Sequence, residues 1–409
     1  MRNIAIVGAG QAGLLLAIAL RKKGYDVTLF SNRTAEQIRH GNILSCQGMF
    51  DMALQIERQW GLNFWDEECP WNTSVTFTLG EPGTARKSVE WKGKTQRPFQ
   101  SIDQRLKFSR WLEVFQSLGG RLIIQGVTLA GLDDISRRHE LTIVSSGTGD
   151  VGQCFLRDSK RSIFDQPQRT LTCLYVTGML PVEGHPGVRV NVIPDVGEYI
   201  VMPGLTLGGR CEMMLFESIP GGAFDVLNEV VSAGEKLNIS KALLSRYVPW
   251  EAEISTSIKL TDKQASLTGC YTPSVKYPTA RMPNGQSVLG MADAVVLNDP
   301  IAGQGANTAA KCASVYFDRI VERHKEPFDE SWMQGTFECC WQRYAQASTD
   351  WSNMLLLNPS KHLVELLHSA SWLPGLADRL ANGFDDANAF FPWIADPIQT
   401  QRVIDSFKS

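Results

Sequence analysis

The spacing of apolar residues changes character along this chain and divides it into three regimes. At the start, Ile4-Ala5-Ile6-Val7 reads as a buried strand, Leu14 to Leu20 as a helix, and Val27-Thr28-Leu29-Phe30 as a second strand. Gly24 falls where a helix C-terminal stop belongs. Apolar residues at Met49, Met52, Ala53, Ile56 and Trp60 predict a helix over 47–60; Leu106, Phe108, Leu112 and Phe115 predict another over 104–118, stopped by Gly119-Gly120. Strands are expected at 121–124 and 141–147. In the middle, 171–180, 188–202 and 211–218 are extended, β-branched runs separated by Pro/Gly turns, the pattern of an antiparallel sheet. A core-strand pattern returns at Ser287–Gly290, and beyond about Glu330 only helical spacing is left.

Between the first strand and first helix lies Gly8-Ala9-Gly10-Gln11-Ala12-Gly13, a G-x-G-x-x-G ring. Its context gives it meaning: Gly8 permits the tight turn, Gly10 lets a pyrophosphate approach the backbone, and Gly13 lets helix and strand pack closely. Free N–H groups at the helix start then hold the anion, so Gly8, Gly10, Gln11, Ala12 and Gly13 are expected to contact a dinucleotide. The second strand would ordinarily end in an acidic residue that binds the adenosine ribose. Here Ser31-Asn32-Arg33 stands in that place, so these residues are expected to hold the ribose less firmly than a carboxylate would.

Composition narrows the class. Of 409 residues, 43% are hydrophobic and 20% charged, an ordinary globular balance with room for two or three packed units. The formal charge of −3 argues against nucleic acid or an anionic membrane surface as partner, and no apolar run is long enough to span a bilayer. The glycine ring begins so early that no targeting peptide is expected before it, which suggests a cytoplasmic protein. Nine cysteines without C-x-x-C spacing suggest reduced thiols, and six dispersed histidines give no metal site.

A second signature lies almost three hundred residues downstream. Gly290-Met291-Ala292-Asp293 is a strand ending in a carboxylate, and Asp299-Pro300-Ile301-Ala302-Gly303-Gln304-Gly305-Ala306-Asn307 is a Gly-rich loop opening a helix. Asp293 can accept from a polyol hydroxyl, and the helix start, with Gly303, Gly305, Ala306 and Asn307, can cradle a phosphate or an electron-rich ring carbonyl. One ligand has a pyrophosphate, a ribityl chain and such a ring: FAD.

These motifs resemble those of the aromatic-hydroxylase flavoproteins, and the D-P-x-x-G-Q-G-A-N form is similar to that of styrene and indole monooxygenases. The resemblance runs through Asp103-Gln104-Arg105-Leu106 and the helical tail. Within that group styrene epoxidases carry Asn-x-Val-x-His beside the flavin, and the indole-preferring branch carries Ser-x-Gln-x-Met. This chain has Ser45-Cys46-Gln47-Gly48-Met49, similar to the indole branch.

The resemblance implies an α/β fold: a Rossmann-like FAD-binding domain (1–70, 96–165 and 278–335), an inserted antiparallel β-sheet substrate domain (71–95 and 166–277) and a helical C-terminal region (336–409). It implies the oxygenase half of a two-component system, with FAD delivered reduced by an NADH-dependent flavin reductase. Reaction with O2 would give a C4a-hydroperoxyflavin that epoxidises the C2=C3 bond of indole, leading to indoxyl and indigo, or a related styrene. A homodimer is compatible with it. Ser45, Gln47 and Met49 would line the substrate pocket, Ser45 also capping the 47–60 helix; Pro300 and Asn307 would form the opposite wall. Arg105 is expected at the pyrophosphate or adenosine. A single-component hydroxylase using NAD(P)H directly, and a flavin-binding sensor without turnover, are the competing readings. A flavin halogenase is disfavoured, because no W-x-W-x-I-P stretch occurs.

Overall fold

A computed structural model describes residues 2–408 apart from Thr148, Glu183 and His185. It opens with β1 (Asn3–Val7), α1 (Gln11–Lys22) and β2 (Asp26–Ser31), a parallel βαβ unit in which Ile6 lies beside Leu29. A helix α2 (Asp51–Gln59) leads to the paired strands β3 (Asn72–Gly80) and β4 (Lys87–Phe99). The chain returns through α3 (Gln104–Ser117), β5 (Arg121–Ile124), α4 (Leu129–Arg138) and β6 (Leu141–Val144).

Four long strands follow, β7 (Thr170–Thr177), β8 (Gly187–Ile193), β9 (Gly197–Thr206) and β10 (Gly209–Ser218). After α5 (Ala233–Tyr247) come β11 (Lys259–Leu260), β12 (Ser266–Cys270), β13 (Thr279–Arg281) and β14 (Ser287–Gly290), and then α6 (Gly305–Glu322). From Glu330 onward the described elements are all helical.

These strands form two main sheets. The first runs β13-β14-β6-β1-β2-β5, parallel except for the β13–β14 hairpin. Its central strands, buried on both sides, are continuous apolar runs because α1 and α6 cover one face. The second sheet runs β11-β7-β10-β9-β8-β3-β4, with β12 also on β7. It is antiparallel except where β3 lies parallel to β8. Its period-2 pattern sends Met213, Leu215, Ile200 and Met202 toward one core and Met214, Phe216, Tyr199 and Val201 toward another. The C-terminal helices pack on the first of these faces through Trp351, Leu376, Leu380 and Phe390.

Three expectations are corrected. The 188–202 run is two strands, broken by a turn with Asp195 at φ 64. The helix expected from Gln47 begins at Asp51. Cys312 and Cys340 are joined as a disulfide with Cα atoms 5.7 Å apart, so the thiols are not all reduced. No described helix is long and apolar enough to cross a membrane.

Candidate functional site

The glycine ring is held by two contacts that leave no space for a side chain. A Cβ on Gly13 would lie 2.0 Å from the Gly8 carbonyl oxygen, and one on Gly8 (φ 116) would lie 2.8 Å from both Ser145 Oγ and Ser146 N. Gly10 differs: a Cβ there meets nothing within 4 Å. Gly10 is the N-cap of α1, whose first turn has no side-chain cap and no acidic residue. Its orphan N–H groups and positive dipole end therefore face open space, which suits a pyrophosphate. Gln11 and Ala12 are buried behind this opening. Gln11 Nε2 donates to Glu57 at 2.8 Å, and Lys107 Nζ donates to both oxygens of that carboxylate at 2.7 and 3.0 Å. Both charged groups are almost fully buried, so each depends on the other for solvation.

At the end of β2, Ser31 Oγ donates to the Arg33 carbonyl and accepts from the Arg33 amide, closing a turn that leaves Asn32 exposed and Arg33 half-buried. Arg105 does not take its expected place. It is 1% exposed and forms a two-pronged pair with Asp262 at 2.8 and 3.1 Å. Its Nε and Nη2 bond Asp103 Oδ2 and Thr206 Oγ1, and its Nη1 bonds the Gly41 carbonyl. With its N–H groups committed to protein acceptors, this guanidinium ties α3 to the second sheet rather than serving a pyrophosphate.

Asp293 follows Ala292, whose φ of 52 is unusual for a residue with a side chain. The carboxyl reaches solvent and has no hydrogen-bond partner among the described residues, yet surrounding protein raises its pKa to about 6. Exposure and desolvation coincide when a group lines a cleft: water touches it, but protein occupies most of its surroundings. A Cβ on Gly147 would lie 2.7 Å from the Asp293 Cβ, so a side chain at 147 would crowd Asp293.

The loop after it is shaped by Asp299, whose Oδ1 accepts from the Ile301 amide at 3.1 Å and starts the turn Pro300–Ala302. Gly303 closes that turn at φ 64, and Cβ atoms on Gly303 or Gly305 would meet nothing within 4 Å. Like α1, α6 begins without a side-chain cap. The buried Asn307 accepts from the Phe50 amide at 2.8 Å and donates to the Gly48 and Gly303 carbonyls at 2.8 and 3.0 Å. Those three bonds bring Ser45–Met49 against the Gly303–Asn307 loop.

Ser45 to Gly48 are irregular and Met49 forms an isolated bridge with Gln100, so none of them is helical and Ser45 caps nothing; Phe50 is the N-cap of α2. The segment is held by bonds to neighbouring residues. Met49 N donates to the Gln100 carbonyl, Ser101 Oγ to the Gln47 carbonyl and Tyr175 OH to the Ser45 carbonyl. Met49 lies in the α/β core, while Gln47 Nε2 donates to the Ile102 carbonyl and its buried Oε1 has no partner.

Sequence reasoning passed over Glu198, Glu217 and Arg169, which cluster around Asp299. The available signal was Glu198 and Glu217 on the apolar-patterned faces of β9 and β10. A surface hollow of about 490 Å³, bordered by Arg319, Glu338 and Arg343, is elsewhere. Arg319 stands roughly 20 Å along α6 from Gly305 at helical rise.

The fit to FAD rests on the open N-terminus at Gly10, the unpartnered Asp293 and the open backbone at Gly303 and Gly305. Comparison with known proteins agrees with this. Residues 147–253 match the family model "Styrene monooxygenase A putative substrate binding domain", and 6–35 match the NAD(P)-binding Rossmann-like domain. Styrene monooxygenase StyA from a Pseudomonas species is 26% identical over 328 residues, 78% of this chain and 77% of that protein. The Pseudomonas fluorescens StyA is 25% identical over the same shares. Among solved structures, the flavin-dependent brominase Bmp2 superposes with a TM-score of 0.72 at 13% identity, covering 100% of this chain and 99% of that one. PqsL, a probable FAD-dependent monooxygenase from Pseudomonas aeruginosa, gives 0.62 at 13%, covering 95% and 98%. Site and comparisons support a flavin-dependent monooxygenase as the class and FAD as the cofactor. The chain's sequence relatives within that class are the styrene monooxygenases.

Proposed function

We propose that this chain is the oxygenase component of a two-component system that takes reduced FAD from an NADH-dependent flavin reductase and epoxidises the C2=C3 bond of indole and of related styrenes. Bound reduced FAD supplies the activated oxygen. In the overall balance one atom of O2 enters the double bond, and the other leaves as water with two electrons from the flavin. The chain's part is to bind, orient and exclude water. The backbone at Gly10–Gly13 holds the pyrophosphate, Asp293 accepts from ribityl hydroxyls, and Pro300 with Gly303–Asn307 walls the ring. Ser31, Asn32 and Arg33 hold the adenosine end, without the carboxylate that would bind it firmly. A flavin that arrives reduced and leaves oxidised needs that lighter grip.

One observation carries the substrate: the buried, unpartnered Gln47 Oε1 on the segment that Asn307 pins to the flavin loop. The indole N–H can only donate, and Gln47 offers an acceptor left without a partner; styrene has no group to use it.

The test combines purified chain, FAD, NADH, O2 and indole, with and without a flavin reductase. Blue pigment only when reductase is present supports the reading. Rapid NADH loss without reductase would indicate a single-component hydroxylase. No product even from chemically reduced FAD and O2 would indicate a sensor.

A further inference from the structure

The inner face of the second sheet ends in an acidic cluster that the proposed chemistry does not use. Glu198 on β9 and Glu217 on β10 stand directly opposite in register. Both side chains therefore project from the face that carries Ile200, Met202, Met213 and Leu215. Arg169 grips Glu198 with two bonds of 2.8 and 3.0 Å. Glu217 is fully buried, and neither of its oxygens meets a donor. What it meets is Asp299, itself 3% exposed and within hydrogen-bonding reach.

Two carboxylates can touch at that range only through a proton, because neither otherwise has anything to donate. The charged and titratable groups facing Glu217 are Asp299 from the flavin loop, Glu198 from β9, Arg169 ahead of β7 and Cys46 from the 45–49 segment. Three carboxyls thus share one guanidinium, and that cation is already paired. Burial pushes Glu217 well above the usual carboxylate range and Asp299 up to about 6.

We infer that Glu217 and Asp299 hold one proton between them and that this proton fixes the Asp299–Gly303 turn in the shape that receives the flavin. The inference rests on the flavin reading of that turn. Glu217 is a positioning residue: it touches Asp299, which in turn holds the Ile301 amide and sets Pro300. When the proton leaves, two adjacent buried charges repel, Asp299 is pushed off its station, and the turn loosens.

The experiment is a titration of oxidised FAD into the purified chain, followed by flavin fluorescence from neutral to alkaline pH. Affinity is expected to fall about tenfold on the alkaline side, a cost of about 1.4 kcal/mol. Glu217→Gln keeps an N–H donor toward Asp299 but cannot titrate, so it should abolish that alkaline fall. Asp299→Asn carries the same expectation and guards against a misfolded first variant. Infrared difference spectra of the FAD-free protein give a readout independent of binding. A protonated-carboxyl C=O band should be present in wild type at neutral pH and lost in Glu217→Gln. An unchanged alkaline fall in both variants, or no such band in wild type, overturns the inference. FAD binding with no alkaline fall also overturns it and leaves the flavin reading intact. Failure of wild type to bind FAD at any pH overturns the flavin reading, and the role of the turn with it.

Discussion

Behind each of the two glycine loops lies a buried cluster of charge, and the two are built on opposite terms. Under the N-terminal ring, Lys107 and Glu57 are one cation and one anion, with Gln11 completing the carboxylate's bonds. Under the flavin loop, Asp299, Glu217 and Glu198 share the single cation Arg169. The first cluster is neutral as it stands, whereas the second needs a proton to approach balance. On the flavin reading, the dinucleotide end of the cofactor would rest on the paired cluster and the ring end on the one inferred above to share a proton.

The largest expected effect comes from unbalancing the neutral cluster. Glu57→Ala leaves Lys107 buried without a counter-ion and should cost about 3–5 kcal/mol in urea unfolding. A loss near zero would show that Lys107 finds another partner and that the two clusters are not so different.

Next comes the ring itself. Gly13→Ala drives a methyl into the Gly8 carbonyl, 2.0 Å away, and should destabilise the fold by about 1–3 kcal/mol. Gly10→Ala meets nothing, so its unfolding midpoint should stay near wild type while FAD affinity falls. Wild-type affinity in Gly10→Ala would remove the pyrophosphate from this helix start.

Asp293→Asn should lose about tenfold in FAD affinity, since an amide is a weaker acceptor than a carboxylate. In wild type the binding should weaken as pH falls through about 6, because protonation removes the anionic acceptor. The variant should lack that acid limb. Together with the alkaline limb assigned to Glu217 and Asp299, this gives a bell-shaped profile whose two sides can be removed separately.

The smallest effect on the cofactor is expected from Ser45→Asn, Gln47→Val and Met49→His combined. Preference should move from indole toward styrene, read as the ratio of kcat/KM values, with FAD affinity within about twofold of wild type. Equal rates before and after would mean that these positions do not face substrate.

The glycine ring and the loop at Gly303–Asn307 were legible as motifs because each is contiguous in sequence and opens a helix, although the atoms that exclude a side chain at Gly8 belong to the distant Ser145 and Ser146. Arg105 was not, because Asp262, which claims it, is 157 residues distant and the intervening strands decide the meeting. The start of α2 was misread for a similar reason. Periodicity alone places Met49 on a helix, but its pairing with Gln100 pulls the backbone into an extended bridge, so tertiary contact overrides local preference. The acidic cluster was the least legible part, since only the β9–β10 register and the return of the chain at Asp299 assemble it.

The three bonds of Asn307 have a further consequence. At Gly48 and Phe50 it grips only main-chain atoms, one carbonyl and one amide. The clamp is thus blind to which side chains stand at 45, 47 and 49. Changes at those three positions are therefore expected to leave the register of the segment with the Gly303–Asn307 loop intact, so that selectivity and flavin seating can be approached as separate engineering problems.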